Sequence, residues 1–112
     1  MIKFKSLKRS KDFIEILNKK KLNTKYFTLF FNKNTKTSNK CLNISFVAQK
    51  KLGNAVKRNK IKRRLKNMTN DAVKKISINF NYSYLVIAKN TVFSDDYTNI
   101  KKTLFSDFER IK

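Results

Sequence analysis

GNAVKRNKIKRRLK, residues 53–66, carries the basic side chains Lys57, Arg58, Lys60, Lys62, Arg63, Arg64 and Lys66 and no acid. Gly53-Asn54 supplies a turn and an N-cap, so the pattern predicts a helix that starts at Ala55. Ile61, Leu65, Met68, Ala72 and Ile76 then recur at helical spacing. At about 100° per residue they form one narrow apolar stripe, which carries the helix to about Lys75. Asn59, Lys60, Arg63 and Lys66 fall on the opposite side. Arg58 and Lys62 border the stripe on one edge, Lys57 and Arg64 on the other. The expectation is a helix seated on a core by one face and positively charged over the rest. A merely solvated face usually alternates in sign to limit self-repulsion, and this one does not. A membrane-surface or calmodulin-binding helix needs bulky anchors such as Trp or Phe, which the stripe lacks. An extended phosphate surface fits better. The second half of the helix, MTNDAVKKI, is more neutral, so charge gathers at the N-terminal end. There the free N–H groups and the helix dipole also favour an anion.

Composition points the same way. A chain of 112 residues predicts one domain with a single modest core. Its 28 Lys+Arg against 7 Asp+Glu give +21, so a polyanionic partner is expected, with nucleic acid first. No stretch approaches the roughly 18 apolar residues of a membrane span, and the start, MIKFKSLKRSKDF, lacks the apolar run of a signal peptide. The expected location is cytoplasmic, with no membrane partner. The chain has no His and one cysteine, Cys41. These exclude an internal disulfide, a Cys/His zinc site and a His-based general base. Cys41, in an alternating apolar run, reads as a small buried or edge residue. The acids Asp12, Glu15, Asp71, Asp95, Asp96, Asp107 and Glu109 are scattered, with no Asp-x-Asp or Glu-x-Asp cluster. Asp95-Asp96 precede a helical pattern and read as capping residues. No catalytic side chain and no protein-held metal are expected.

Extended backwards to Lys50, the stretch KKLGNAVKRNKIKRRLK resembles the signature of the bacterial ribonuclease P protein component. That family carries a Lys-Lys-x-Gly-Asn-Ala-Val segment followed by an Arg-Asn-Arg-x-Lys-Arg-x-x-Arg helix. Lys50, Lys51, Gly53, Asn54, Ala55, Val56, Arg58, Asn59, Lys62 and Arg63 match it. Lys60 and Lys66 stand where the family has arginines, which keeps the charge but loses the bidentate fork.

Taken in order, residues 1–9 read as a flexible basic arm. Ser10 then caps a short helix, about Lys11 to Lys19, with Phe13, Ile14 and Leu17 apolar and Ile16 on a flank. Lys19-Lys20-Lys21 with Asn23-Thr24 reads as a polar connection. A strand runs from Tyr26 to Asn32, with Phe27, Leu29 and Phe31 on one face and Tyr26, Thr28 and Phe30 on the other. Asn32 to Lys40 reads as a surface loop. Cys41 to Ala48 is the second strand, with Leu42, Ile44, Phe46 and Ala48 on one face. After the basic helix and a turn over Ser77–Ser83, the apolar run Tyr84–Ala88 predicts a buried strand suited to parallel pairing across the helical crossover. A last helix spans about Asp96 to Ile111, with Tyr97, Ile100, Leu104, Phe108 and Ile111 on one face. The order helix, strand, strand, helix, strand, helix, with room for one extra short strand, predicts a compact two-layer α/β sandwich of α+β class. It matches the family along essentially the whole of residues 1–112. The family's crossover is left-handed, whereas physics alone gives the right-handed default.

The resemblance implies a function. The family enzyme removes the 5′ leader from precursor tRNA, and its catalyst is a large RNA subunit using Mg²⁺ held mainly by RNA. The protein is then an accessory subunit without catalytic residues, which lowers the Mg²⁺ requirement. Its implied partners are the RNA subunit and precursor tRNA, with no obligatory protein partner. Lys51, Arg58, Asn59, Lys60, Lys62, Arg63 and Lys66 are the implied contacts to the RNA subunit. The implied cleft for the single-stranded leader comprises Phe13, Leu17 and Phe30, with Lys51 and Arg58 near its rim. Leu17 stands where the family has a second aromatic, and Leu offers a base no π-face. A small ribosomal protein fits charge and size equally well but needs no leader groove. A DNA-compacting protein would spread its basic residues without a Phe-rich groove. A stand-alone nuclease would need an active site that the chain does not offer.

Overall fold

The apolar stripe of the basic helix rests on one face of a mixed sheet. A computed structural model of the chain describes residues 3–5, 16–17, 20–33, 41–76, 78 and 82–111. Strands β1 (Lys3–Lys5), β2 (Lys20–Asn23), β3 (Phe27–Lys33), β4 (Cys41–Val47) and β5 (Tyr82–Ala88) stand in the spatial order β1-β4-β5-β3-β2. β4 is parallel to both β1 and β5, while β3 is antiparallel to β5 and β2. Helix α1 (Ala55–Lys75) carries the chain from β4 to its parallel neighbour β5. A short α2 (Thr91–Ser94) and then α3 (Tyr97–Arg110) follow β5.

Alternation along the strands sorts their side chains between two faces. Phe27, Leu29, Leu42, Ile44, Tyr84 and Val86 pack against Ile61, Leu65, Met68 and Ala72 of α1 and Ile100, Leu104 and Phe108 of α3. Each such side chain contributes roughly 1.5–3 kcal/mol by leaving water. Tyr84 and Phe108 meet edge to face, with centroids 5.3 Å apart. Thr69, buried in the stripe, gives its hydroxyl proton to the Leu65 carbonyl at 2.9 Å, so no polar group is stranded there. Ile76, at the foot of the stripe, is only partly buried.

The strands after residue 25, the basic helix and the terminal helix lie close to where the pattern puts them. Elsewhere the structure corrects the sequence reading. Residues 1–9, expected to be a flexible arm, contain β1 at Lys3–Lys5. Phe4 is in register with Leu42 and its ring lies 6.4 Å from Phe46, so one aromatic anchors a three-residue strand. Lys20–Asn23, expected to be a connection, is the edge strand β2. Leu22 packs on the core while the lysines face solvent, which also protects an exposed edge from pairing. Two strands are thus added where one had been allowed. β5 starts at Tyr82 rather than Tyr84, because its ladder with β3 continues to the Lys33–Tyr82 pair. Tyr82 also meets Phe31 edge to face at 5.7 Å. Asp96 takes the N-cap position of α3, but its side chain makes no capping hydrogen bond. Of the first expected helix, Ile16 and Leu17 are described and helical. Ile16, assigned to a flank, is buried at 2% exposure against the second face of the sheet. Ser10, Phe13, Ile14, residues 34–40 and the Cys41 side chain lie outside the described residues.

Candidate nucleic-acid interface

α1 begins directly after a 3-10 turn at Lys50–Leu52 that leaves β4. Gly53 joins the two with φ +142°, a backbone that only glycine adopts without strain. A Cβ there would lie 2.7 Å from Cδ of Lys57. Asn54 caps the helix, its Oδ1 accepting the Lys57 N–H at 2.9 Å. The first turn contains no acid.

The basic side chains of α1 then divide. Asn59, Lys60, Lys62, Arg63 and Lys66 are exposed, with no ion pair or side-chain hydrogen bond among the described residues. Lys57 and Arg64, about two helical turns apart on the stripe's edge, meet the segment after β5. The Lys57 ammonium lies 4.8 Å from the centroid of Phe93. The Arg64 guanidinium lies 5.4 Å from that of Tyr97 and donates to the Asp95 carbonyl at 3.2 Å. Cations over ring faces are attracted by the ring quadrupole. Asp95 in turn pairs with Lys25 at 3.3 Å, which ties this loop to the turn between β2 and β3. The Thr91 hydroxyl donates to the Lys25 carbonyl at 2.8 Å. Lys89 Nζ donates to Asn23 Oδ1 at 2.6 Å and to the Thr24 carbonyl. Arg58 is half-buried, and its Nε has no hydrogen-bond partner among the described residues.

The second face of the sheet is the other part of the site. Register lines up Val47, Ile87, Thr28 and Asn23 in one row and Ser45, Leu85, Phe30 and Lys21 in the next. Ile16 packs on Phe30 and Leu85, with Val47 and Ile87 only partly buried beside them. Lys21 Nζ lies 6.0 Å from the Phe30 centroid. Leu17, next to Ile16, is 45% exposed. Lys50 and Lys51, both exposed, leave from the Val47 end of this face. The result is a half-open apolar floor with cations at one end and at one edge. That combination can hold a flexible polyanion whose bases seek apolar surface.

The perturbed carboxyl groups lie elsewhere. Its hydrogen bond with Lys101, at 2.8 Å, holds Asp71 below the usual carboxylate range. Burial pushes Asp107 up. Among the described residues no three His, Cys, Asp or Glu side chains come together to hold a metal ion, and no helix is long and apolar enough to cross a membrane.

A family model described as Ribonuclease P matches residues 1–112. A ribonuclease P protein component from Mesoplasma florum is 34% identical over 89% of this chain and 88% of its own. The chain belongs to the ribonuclease P protein family. A relative from Fusobacterium nucleatum, also a ribonuclease P protein component, is 33% identical over 95% of this chain and 92% of its own. The fold agrees with a solved RNase P protein from Staphylococcus aureus, with TM-score 0.75, 26% identity and coverage of 95% of this chain and 93% of that one. The RNase P protein from Thermotoga maritima shares the fold as well, with TM-score 0.79, 24% identity and coverage of 96% and 98%.

The residues expected to touch RNA fall into two places in this member of the ribonuclease P protein family. Asn59, Lys60, Lys62, Arg63 and Lys66 share the free side of α1, while Arg58 is half-buried. Phe30 sits in the floor of the second sheet face with Leu17 exposed nearby in sequence to Ile16, and Lys51 projects from the turn at one end. Phe13 lies outside the described residues. Sequence reasoning missed Lys21, Ile16 and Phe93. Phe93 carried one signal: it is an aromatic outside every apolar stripe.

Proposed function

We propose that the chain is the RNA-binding protein subunit of a ribonuclease P that removes the 5′ leader from precursor tRNA. Membership of the family implies an RNA subunit as partner. The observation that carries the finer reading is the pairing of two surfaces: the free cationic side of α1 and the half-open apolar sheet face. The first suits duplex and folded-RNA phosphates, which bind without sequence reading. The second suits a single strand, whose bases are unstacked and free to lie on apolar side chains. In this reading Asn59, Lys60, Lys62, Arg63 and Lys66 dock the RNA subunit and screen phosphate repulsion. Phe13, Leu17 and Phe30, with Lys51 and Arg58, hold the leader. Bond cleavage belongs to the RNA, with Mg²⁺ in its keeping. Protein cations beside the RNA lower its electrostatic repulsion, so the complex forms and works at less Mg²⁺.

Leu17 gives a test by gain rather than loss. In the reconstituted holoenzyme, Leu17→Phe adds a π-face at an exposed position. It is expected to tighten precursor tRNA several-fold while leaving mature tRNA unchanged, since stacking is worth about 1–3 kcal/mol per base. Equal effects on both tRNAs would remove position 17 from the leader path.

A further inference from the structure

Phe93 is unusual among the large apolar residues. It is 41% exposed, whereas its neighbour in α2, Val92, is fully buried. Val56, one residue before Lys57 in the first turn of α1, is 66% exposed. A ring left this open would ordinarily be covered. The charge around it says by what. Lys57 lies over the ring at 4.8 Å, and the helix start beside it has no acid in its first turn. The acid next in the chain, Asp95, is turned to Lys25. The patch is therefore apolar, flat and cationic at once. A nucleotide matches all three properties, because its phosphate takes the ammonium and its base takes the ring.

We propose that Phe93 is a stacking platform for an unpaired nucleobase of the RNA subunit, with Lys57 holding the phosphate of the same stretch. This rests on the reading in which α1 docks that RNA. It adds a base contact outside the leader cleft, on the short helix α2, whose end Arg64 and Lys25 fix in place through Asp95. Gly53 belongs to the same device, because a side chain there would meet the Lys57 methylenes under the ammonium.

The test measures Kd of the chain and the RNA subunit over a salt series. Phe93→Leu keeps apolar volume and removes the π-face. It is expected to weaken binding on the order of tenfold with the salt slope unchanged. Lys57→Gln is expected to lower the slope by about one phosphate. Phe93→Trp keeps a ring, and its indole emission should be quenched when the RNA subunit saturates it. Wild-type affinity for Phe93→Leu, or unquenched emission in the saturated Phe93→Trp complex, overturns the platform. Arg63→Ala separates the two readings. If it lowers the slope while Phe93→Leu binds as wild type, docking stands and the platform falls. If the unaltered chain shows no salt-dependent binding to the RNA subunit, the docking reading itself falls.

Discussion

The two adjacent arginines of α1 have opposite circumstances. Arg63 is exposed on the free side of the helix and has no ion pair or side-chain hydrogen bond among the described residues. Arg64 stacks on Tyr97 and donates to the Asp95 carbonyl. Lys60 and Lys66 share the free side of the helix with Arg63. A count of charge along the helix treats all of these alike. The structure divides them into cations that hold the protein together and cations left for a partner, and the division follows from a 100° step between neighbours.

The largest effect that sharpens this contrast lies on the third side, the stripe. Leu65→Ala opens a cavity beneath the helix and is expected to cost about 2–5 kcal/mol in urea unfolding. A cost below about 1 kcal/mol would mean that the stripe is not what seats α1. Next, Arg64→Ala removes a stacked guanidinium and its hydrogen bond. It should destabilise the fold by about 1 kcal/mol and leave the salt slope of RNA binding intact. A lowered slope with unchanged stability would place Arg64 with the RNA-facing cations instead. Arg63→Ala should do the reverse: stability within about 0.5 kcal/mol of the original, and a slope reduced by about one phosphate contact. An unchanged slope would remove Arg63 from the interface.

The helix was legible because its stripe is long and its faces are chemically unlike. The alternation in β3 and β4 was legible for the same reason, and so was the crossover between β4 and β5. β1 and β2 were not. Each is three or four residues long and lysine-rich, and it is held by one apolar side chain, Phe4 or Leu22, whose partner is distant in sequence. The handedness of the crossover cannot be read from any residue pattern. In the site, the helical wheel separated Arg63 from Arg64 correctly, yet the partners of Lys57 and Arg64 were not legible: Phe93 stood out only as an aromatic outside every stripe, and Tyr97 read as part of the terminal helix's apolar face. Ile16 was misplaced because a short expected helix, about Lys11 to Lys19, gives too few apolar positions to fix a face. The motif could assign Phe30 and Leu17 to a leader cleft only through the family resemblance; periodicity by itself reads Leu17 as ordinary core and leaves the two-faced strand of Phe30 either central or lining a groove.

Asp107 is buried, its Oδ2 has no hydrogen-bond partner among the described residues, and burial holds its carboxyl above the ordinary range while Arg110 pulls the other way. The folded state therefore binds this proton more tightly than the unfolded chain. The contribution is full below the unfolded pKa of about 4 and is lost as pH rises through the folded value. Asp107→Asn should flatten that decline in a melting-temperature series from about pH 4 upward. A decline of the same size in the variant would assign it to another group.

The central claim is that this chain assists an RNA catalyst without being one. It is tested most directly by mixing the purified protein with a bacterial ribonuclease P RNA and a precursor tRNA at low Mg²⁺ and following 5′ cleavage. The account predicts protein-dependent cleavage at the mature 5′ end and no cleavage by the protein alone. Tight RNA binding with no stimulation of cleavage, across RNA subunits of several types, would contradict it.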